Sequence, residues 1–184
     1  MERENRRVSM TKRLLKEGLL QLLETRKLEN IRVTELCEVS GVNRATFYRH
    51  YALPKDLLAE IEGDLIAEIH RISPLPESIE ETENYLEKYC SCLQKNAASV
   101  QTLVRSGCVM KLQESVNRFC ESLIRKQNIS PLHLQMRAAF LTGGIGLMLR
   151  RWILGSERQS PAEIAKFVAE LLRREEDFCS STAG

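Results

Sequence analysis

Apolar residues recur every three or four positions along almost all of this 184-residue chain. That period matches the 3.6 residues per turn of an α-helix, so each such stretch predicts a helix with one buried face. Proline is scarce, at five residues, and the β-branched runs typical of strands are absent. The sequence therefore predicts an all-α fold of about nine helices, and its 43% of hydrophobic residues is enough to form a core.

Glycine, proline and capping residues divide this pattern into segments. Gly41 is placed to end the second helix, Asn43 to cap the third, and Pro54 to begin the fourth. The stretch 160–163, Ser-Pro-Ala-Glu, is a capping box with proline at the first helical position. The predicted helices cover 9–26, 33–40, 44–51, 54–72, 79–96, 97–106, 109–126, 132–155 and 161–178.

Residues 73–76, Ser-Pro-Leu-Pro, form the clearest break in the chain. We therefore expect a helix-turn-helix domain over 1–54, a linking helix over 55–72, and a second helical domain over 73–184. The first 59 residues hold 12 Lys and Arg against 8 Asp and Glu, whereas the remainder holds 15 against 17. A basic front part of this kind favours a nucleic-acid partner.

The stretch 39–51, VSGVNRATFYRHY, holds three of the ten aromatic residues of the chain. Within the third helix, Phe47 and Tyr51 lie four positions apart and share a face that we expect to be buried. A second, outward face carries Arg44, Ala45, Tyr48 and Arg49. Arginine suits guanine edges or phosphates, alanine allows close approach, and tyrosine reaches phosphate or base, so this face fits a major groove. The alternative is an ordinary solvated face.

Three segments resemble the DNA-binding domain of the TetR/AcrR family of bacterial transcriptional regulators: 31–36 (IRVTEL), 40–51 (SGVNRATFYRHY) and 55–58 (KDLL). The resemblance implies that Arg44 and Ala45 read base edges, while Tyr48 and Arg49 contact phosphate or bases. It places Thr34 against DNA as well. The candidate DNA-binding residues are Arg32, Thr34, Arg44, Ala45, Thr46, Tyr48, Arg49, His50 and Lys55.

Two positions depart from the family pattern. Arg32 occupies the N-cap position of the second helix, where family members have Ser or Thr, and it cannot accept a backbone hydrogen bond. We expect Arg32 to bind phosphate and Glu35 to supply the remaining half of the cap. Pro54 stands where many members have a lysine that grips phosphate, and Lys55 follows one position later.

The rear half is similar to the branch of this family that includes regulators of dihydroxyacetone-kinase operons, through residues 143–146 (GGIG), 151–152 and 160–163. This resemblance implies a homodimer formed by the last two helices, together with a small-molecule pocket. The candidate pocket residues are Tyr89, Cys92, Phe119 and Phe140. Each of them has plain core packing as its alternative.

The long helix 132–155 carries two stripes, one through Leu141, Ile145 and Trp152, the other through Phe140, Gly144 and Leu147. Two such stripes let a helix pack on two sides, one within its own domain and one against a partner. The candidate dimer residues are Leu141, Ile145, Met148, Trp152, Ile164, Val168 and Leu171. A larger monomeric bundle is the alternative.

Other functional classes are disfavoured. The six cysteines follow no zinc-binding spacing, and His70 and His133 are isolated, so we expect free thiols, no metal and no cofactor. The most apolar segment, 138–149, is too short to span a bilayer, and no signal peptide is visible, so we expect a cytoplasmic protein without a membrane partner. No nucleophile and base, phosphate loop or carboxylate pair indicates an enzyme.

We therefore expect a sequence-specific regulator that binds double-stranded DNA at a palindromic operator. The favoured form is a homodimeric repressor whose DNA affinity is modulated by a small-molecule effector of unknown identity. The alternative is a regulator of the same fold without an effector, controlled by a protein partner or acting as an activator.

Overall fold

The structure, a computed structural model, describes residues 2–72, 74–125, 130–156 and 159–182; for 2–4, 72, 79 and 176–182 it describes the backbone only. Within these ranges it contains α-helices, one short 3-10 turn (Leu28–Asn30) and no strand. The all-α prediction is confirmed. The helices are α1 (Glu2–Leu23), α2 (Val33–Ser40), α3 (Arg44–His50), α4 (Pro54–Ile72), α5 (Ile79–Lys95), α6 (Ala97–Ser106), α7 (Met110–Ile124), α8 (Pro131–Leu154) and α9 (Pro161–Thr182).

Most predicted boundaries agree with the structure to within two residues. The exception at the front is α1, which begins seven residues earlier than predicted because its first two turns are polar and lack the apolar stripe. At the other end, α9 extends four residues beyond the predicted position 178. The predicted end of the seventh helix, Lys126, and the break residue Ser73 lie outside the described residues.

The chain divides into two compact units, and it passes between them inside α4, at the beginning of α6 and just before α7. Unit 1 comprises the described residues of Met1–Asp64 together with Ala98–Val109. Its core joins α1, α2, α3, the first half of α4 and one residue of α6. Its most deeply buried side chains are Leu15, Leu19, Leu36, Phe47, Leu57 and Leu103.

A close approach between α1 and α2 explains one glycine in this unit. Gly18 is buried on α1, and a Cβ atom at this position would lie 3.0 Å from the Cβ of Ser40 on α2. The missing side chain therefore lets the two helix backbones come together, which fixes the position of α2 on the core of unit 1.

Unit 2 comprises the described residues of Leu65–Ala97 and Met110–Gly184. In it α5 packs on α9, and α7 packs on α8. Arg137 of α8 binds Glu175 of α9 through two hydrogen bonds, one of them 2.6 Å long from Nε to Oε1. Arg173 of α9 reaches Glu83 of α5 at 3.3 Å. These ion pairs connect α8 and α5 to α9.

Capping agrees with the sequence at both late helices. Ser130 accepts a hydrogen bond from the backbone N–H of His133 at 3.3 Å, and so caps α8. Ser160 accepts one from Glu163 at 3.2 Å, and the Glu163 carboxylate accepts one from the backbone N–H of Ser160 at 2.7 Å. The predicted capping box is confirmed. No helix in the described part of the chain is long and apolar enough to cross a membrane.

Candidate nucleic-acid interface

The turn between α2 and α3 is built from three short-range interactions. Gly41 adopts the left-handed conformation, with φ 66° and ψ 21°, and ends α2 as predicted. The backbone N–H of Val42 donates to the carbonyl of Cys37 at 3.1 Å. Asn43 then caps α3, since its Oδ1 accepts from the backbone N–H of Ala45 at 2.8 Å. Together they set the angle at which α3 leaves α2.

The two faces of α3 separate as the sequence predicts. Phe47 is fully buried, and Tyr51, the residue that ends the helix, is 6% exposed. On the opposite face Arg44, Ala45 and Arg49 are exposed, and Tyr48 exposes 52% of its surface. Thr46 and His50 are half-buried at the edges of that face. The structure therefore presents two guanidinium groups and a phenol on one open helix surface.

The N-terminus of α2 is left without a side-chain cap. Arg32 holds the N-cap position in extended conformation, and its side chain makes no capping hydrogen bond. Glu35 does not complete the cap as expected, because its carboxylate binds Arg26 instead, at 2.8 Å. Arg32 and Thr34 are both exposed beside this helix end. Uncapped backbone N–H groups at a helix N-terminus, flanked by an arginine, suit a phosphate.

At the beginning of α4, Asp56 stabilises the turn that follows α3. Its Oδ2 accepts hydrogen bonds from the backbone N–H groups of Ala52, at 3.1 Å, and Leu53, at 2.8 Å. Pro54 is buried, whereas Lys55 is exposed. The first turn of α4 is thus rigidly held and carries a lysine at its surface.

A polar cluster behind α3 was missed by the sequence analysis. Glu60 of α4 accepts hydrogen bonds from Lys12 at 2.9 Å, Lys16 at 2.8 Å and the hydroxyl of Tyr51 at 2.9 Å. Partial burial alone would raise the pKa of Glu60, but hydrogen bonds from Lys16, Lys12 and Tyr51 lower it to about 2. No local pattern reveals such a cluster, because its members lie on three helices up to 48 residues apart.

The candidate pocket residues do not come together as one set. Tyr89, Cys92 and Phe119 are buried in unit 2, at 4%, 2% and 2% exposure, whereas Phe140 is 73% exposed. Tyr85, one turn before Tyr89, stacks parallel to Phe119 with ring centroids 5.2 Å apart. Three of the four candidates therefore belong to an apolar interior, and Phe140 belongs to the surface.

Two hydroxyl groups in that interior lack a partner. Both Tyr85 Oη and Ser115 Oγ are buried, and within the described residues neither has a partner at full hydrogen-bond geometry, although Ser115 lies close to Tyr85. Burial raises the pKa of Tyr85 to about 12 in spite of the opposing effects of Arg118 and Ser115. Ser115 also lies beside Tyr89, whose pKa is raised mainly by burial. An unpaired buried hydroxyl is costly, so this cluster could hold a small polar group.

The candidate dimer residues divide between the inside and the outside of unit 2. Leu141, Ile145 and Val168 are at most 7% exposed within this one chain, so they cannot supply surface to a second chain. Met148, Trp152 and Ile164 are half-buried, and Leu171 is 40% exposed. The other stripe of α8 is the open one, and it continues on α9. Its exposed apolar residues are Leu132, Met136, Phe140, Leu147 and Phe167.

Metal ligation is not indicated in the part of the chain that the structure describes, since no three His, Cys, Asp or Glu residues lie together there. Cys37, Cys90, Cys92 and Cys120 are buried free thiols, and Cys108 is a half-buried one. The side chain of Cys179 lies outside the described residues. Burial raises the pKa of Cys90 to about 12 and that of Cys120 to about 11, which keeps both thiols protonated.

Comparison with known proteins agrees with this architecture. The sequence model of a TetR family, described as a transcriptional regulator C-terminal region, matches residues 80–174, more than half of the chain. A search of curated proteins gave no match.

Solved structures share the fold along nearly the whole chain. A TetR transcriptional regulator from Streptococcus agalactiae 2603V superposes with a TM-score of 0.70 at 19% identity, covering 91% of this chain and 96% of its own. The dihydroxyacetone kinase operon activator DhaS gives 0.56 at 17% identity, covering 90% and 95%. A TetR/AcrR-type regulator from Aquifex aeolicus VF5 gives 0.55 at 18% identity, covering 89% and 98%.

Proposed function

Because this chain belongs to the TetR family of transcriptional regulators, and is not an enzyme, we propose that it is a homodimeric repressor that binds a palindromic operator. We further propose that a small-molecule effector modulates its DNA affinity. The observation that carries the proposal is the open face of α3, where Arg44, Ala45, Tyr48 and Arg49 are exposed on a helix anchored from behind by Phe47.

The chemistry of this face suits the edges of base pairs. A major groove admits one α-helix, and the guanidinium of Arg44, at the N-terminal end of α3, can donate two hydrogen bonds to guanine O6 and N7. Ala45 allows close approach and can contact a thymine methyl group. Tyr48 and Arg49 lie one turn further along the helix, where they reach the flanking bases or phosphates. Thr46 and His50 border the same surface.

Phosphate contacts would then fix the register of α3 in the groove. The uncapped N-terminus of α2 offers backbone N–H groups to one phosphate, with Arg32 and Thr34 at its sides. Lys55, exposed at the beginning of α4, is placed to bind a second phosphate. These contacts are independent of sequence and contribute affinity instead of specificity.

The exposed apolar surface of α8 and α9 supports a dimer. Phe140 and Leu147 on α8 and Phe167 on α9 are more than half exposed, and monomeric proteins rarely leave such neighbouring side chains in water. Gly143 and Gly144 lie on the same open side of α8, where an added Cβ would meet nothing within 4 Å of this chain. Two glycines in a helix interior are destabilising. Close approach of a second chain would explain them, because it requires positions without a side chain.

The effector part of the proposal is supported by the two unpaired hydroxyls of unit 2. Tyr85 Oη and Ser115 Oγ are buried close to Tyr89 and Phe119, with Arg118 near enough to lower the pKa of Tyr85 against the effect of burial. A neutral molecule with an aromatic or apolar body and one hydrogen-bonding group fits such surroundings. A protein partner in place of an effector would leave these hydroxyls without a role.

Repression follows from the proposed geometry because a dimer seated in two grooves blocks other proteins from the same DNA. An activator needs an additional contact with the transcription machinery. Two reporter genes would distinguish these roles. A repressor should lower expression when the operator lies between promoter and start site, and an activator should raise expression when the operator lies upstream of the promoter.

Selection from a pool of random duplexes tests the DNA-binding proposal directly. We expect an inverted repeat whose half-sites are about one helical turn apart, near 34–36 Å. Affinity for it should fall steeply with salt, because phosphate contacts release counterions. Sedimentation should show a dimer. Equal affinity for the selected and a random duplex at every salt concentration would refute a sequence-specific regulator.

A further inference from the structure

One carboxylate in unit 1 holds groups from two other helices. The Glu60 side chain on α4 is 27% exposed and accepts hydrogen bonds from Lys12 and Lys16 of α1, at 2.9 and 2.8 Å. It also accepts one from the hydroxyl of Tyr51, the residue that ends α3, at 2.9 Å. Lys12 lies over the Tyr51 ring, 5.6 Å from its centroid. A single side chain therefore connects the end of α3 to both α1 and α4.

The turn from α2 and the Asn43 cap hold the N-terminal end of α3, but neither reaches its C-terminal end. The helix has seven residues and is about 10 Å long. Phe47 anchors it through apolar contacts, which are strong but not directional. The hydrogen bond from Tyr51 to Glu60 is directional and lies at the C-terminal end, the end opposite Arg44. A helix held at two points along its length cannot pivot about the first.

The charges of this cluster leave no substitute for Glu60. Without its carboxylate, the two ammonium groups of Lys12 and Lys16 would face each other beside the Tyr51 ring. Asp64, one turn further along α4, binds Lys16 at 2.5 Å but is 65% exposed. The hydroxyl of Tyr51 donates its hydrogen bond to Glu60 and not to Asp64.

We infer that Glu60 is a positioning residue for DNA reading, which holds Tyr51 and thereby sets the orientation of α3 against α1 and α4. This inference rests on the proposed function of α3 as the reading helix. It assigns to Glu60 a part in specificity, although its side chain binds Tyr51 on the buried side of α3. Loss of the carboxylate should change the orientation of α3, and should weaken its contacts with bases more than its contacts with phosphates.

The test uses the full-length protein and three variants. Glu60→Gln keeps the shape of the side chain but removes its charge, and Tyr51→Phe removes only the hydroxyl. Asp64→Asn is the matched control, since it removes a lysine partner on the same helix without touching Tyr51. Residual dipolar couplings of the free protein report the orientation of α3 relative to α1. Fluorescence anisotropy gives the affinities for the duplex selected by the wild-type protein and for a random duplex.

We expect Glu60→Gln and Tyr51→Phe to turn α3 in the free protein. The ratio of selected to random affinity should fall about fivefold, the lower end of what the loss of one base contact costs. Affinity for the random duplex should stay within about twofold, because phosphate contacts supply most of non-specific binding. Asp64→Asn should change neither the couplings nor the ratio.

Two results would overturn the inference. One is an unchanged orientation of α3 with an unchanged affinity ratio and only a lower melting temperature, which would leave Glu60 a purely stabilising role. The other is a turned α3 without any loss of preference. If the variants turn α3 but the wild-type protein has no preferred duplex, the positioning role stands and the proposed DNA-reading function fails instead.

Discussion

At the scale of single residues, the proposed function divides the exposed side chains of the helix-turn-helix by position into base readers and phosphate binders. Arg44→Ala should reduce discrimination between the selected and a random duplex by about 1–3 kcal/mol, because a bidentate base contact is lost. Lys55→Ala should weaken binding to both duplexes alike. It should also reduce the slope of log affinity against log salt concentration by about one. Anisotropy titrations at several salt concentrations measure both effects. An unchanged preference in Arg44→Ala would remove this residue from the base edge.

The two tyrosine hydroxyls at Tyr85 and Tyr51 allow the same substitution to be tested with opposite expected signs. Tyr85→Phe removes a buried hydroxyl that has no partner, so stability should be unchanged or higher by up to about 1–3 kcal/mol. Tyr51→Phe removes a hydroxyl that donates to Glu60 and should be destabilising by about 1 kcal/mol or more. Urea unfolding measures both. Clear destabilisation in Tyr85→Phe would mean that a bound water or ligand pairs this hydroxyl.

The carboxylate of Glu60 also makes a prediction about acid stability. Its pKa is lowered from 4.5 to about 2 in the folded protein, so its contribution is present above about pH 4.5 and is lost as pH falls toward 2. The upper bound of this contribution is about 3 kcal/mol. The free energies of unfolding of the wild-type protein and of Glu60→Gln should therefore differ at pH 7 and converge near pH 2. A difference that is independent of pH would contradict an ionised, hydrogen-bonded Glu60.

At the scale of helices, the glycines on the two sides of α8 should differ in their effect on the dimer. Gly144 lies on the open stripe with Phe140 and Leu147, and Gly146 lies away from it. Each is changed to alanine, as Gly144→Ala and Gly146→Ala. Both should favour the helix by about 1 kcal/mol, since an added Cβ meets nothing within 4 Å of the chain. Only Gly144→Ala should weaken the dimer, which sedimentation equilibrium measures. Equal dimer affinity in both variants would place the interface elsewhere.

Helices were predictable where periodicity and capping chemistry act locally. The positions of Gly41, Asn43 and the capping box at Ser160 followed from residue type, because their hydrogen bonds join neighbours in sequence. The two stripes of α8 were also visible in the sequence. Which stripe is buried was not, since periodicity shows that a face is apolar but not which surface meets it. For this reason the sequence alone predicts Leu141 and Ile145 at a dimer interface, whereas both are buried within the chain.

Contacts between distant segments could not be predicted for the same physical reason. Leu103 of α6 joins the core of unit 1, and Glu60 collects groups from two other helices. Each depends on the complete tertiary arrangement, and neither leaves a pattern in its own segment. The exposed face of α3 was predictable because the periodicity of one helix is enough to separate it from the buried face.

At the scale of the whole molecule, α4 is a long helix shared between the two compact units, since one boundary between them falls between Asp64 and Leu65. Any influence of an effector on DNA binding can therefore pass along a continuous helix. We hypothesise that effector binding in unit 2 shifts α4 and, through Glu60 and Tyr51, the orientation of α3. A ligand can do so only if its affinities for the two arrangements differ, and typical coupling is about 1–3 kcal/mol.

Linkage makes this hypothesis testable from either side. If the effector weakens operator binding by a given factor, operator DNA must weaken effector binding by the same factor. A compound that stabilises the wild-type protein, but not Tyr85→Phe, would be titrated calorimetrically with and without the selected duplex. We expect affinities that differ about 5–150-fold, the range that corresponds to this coupling. Equal affinities would mean that unit 2 does not control DNA binding, and a regulator without an effector would then be preferred.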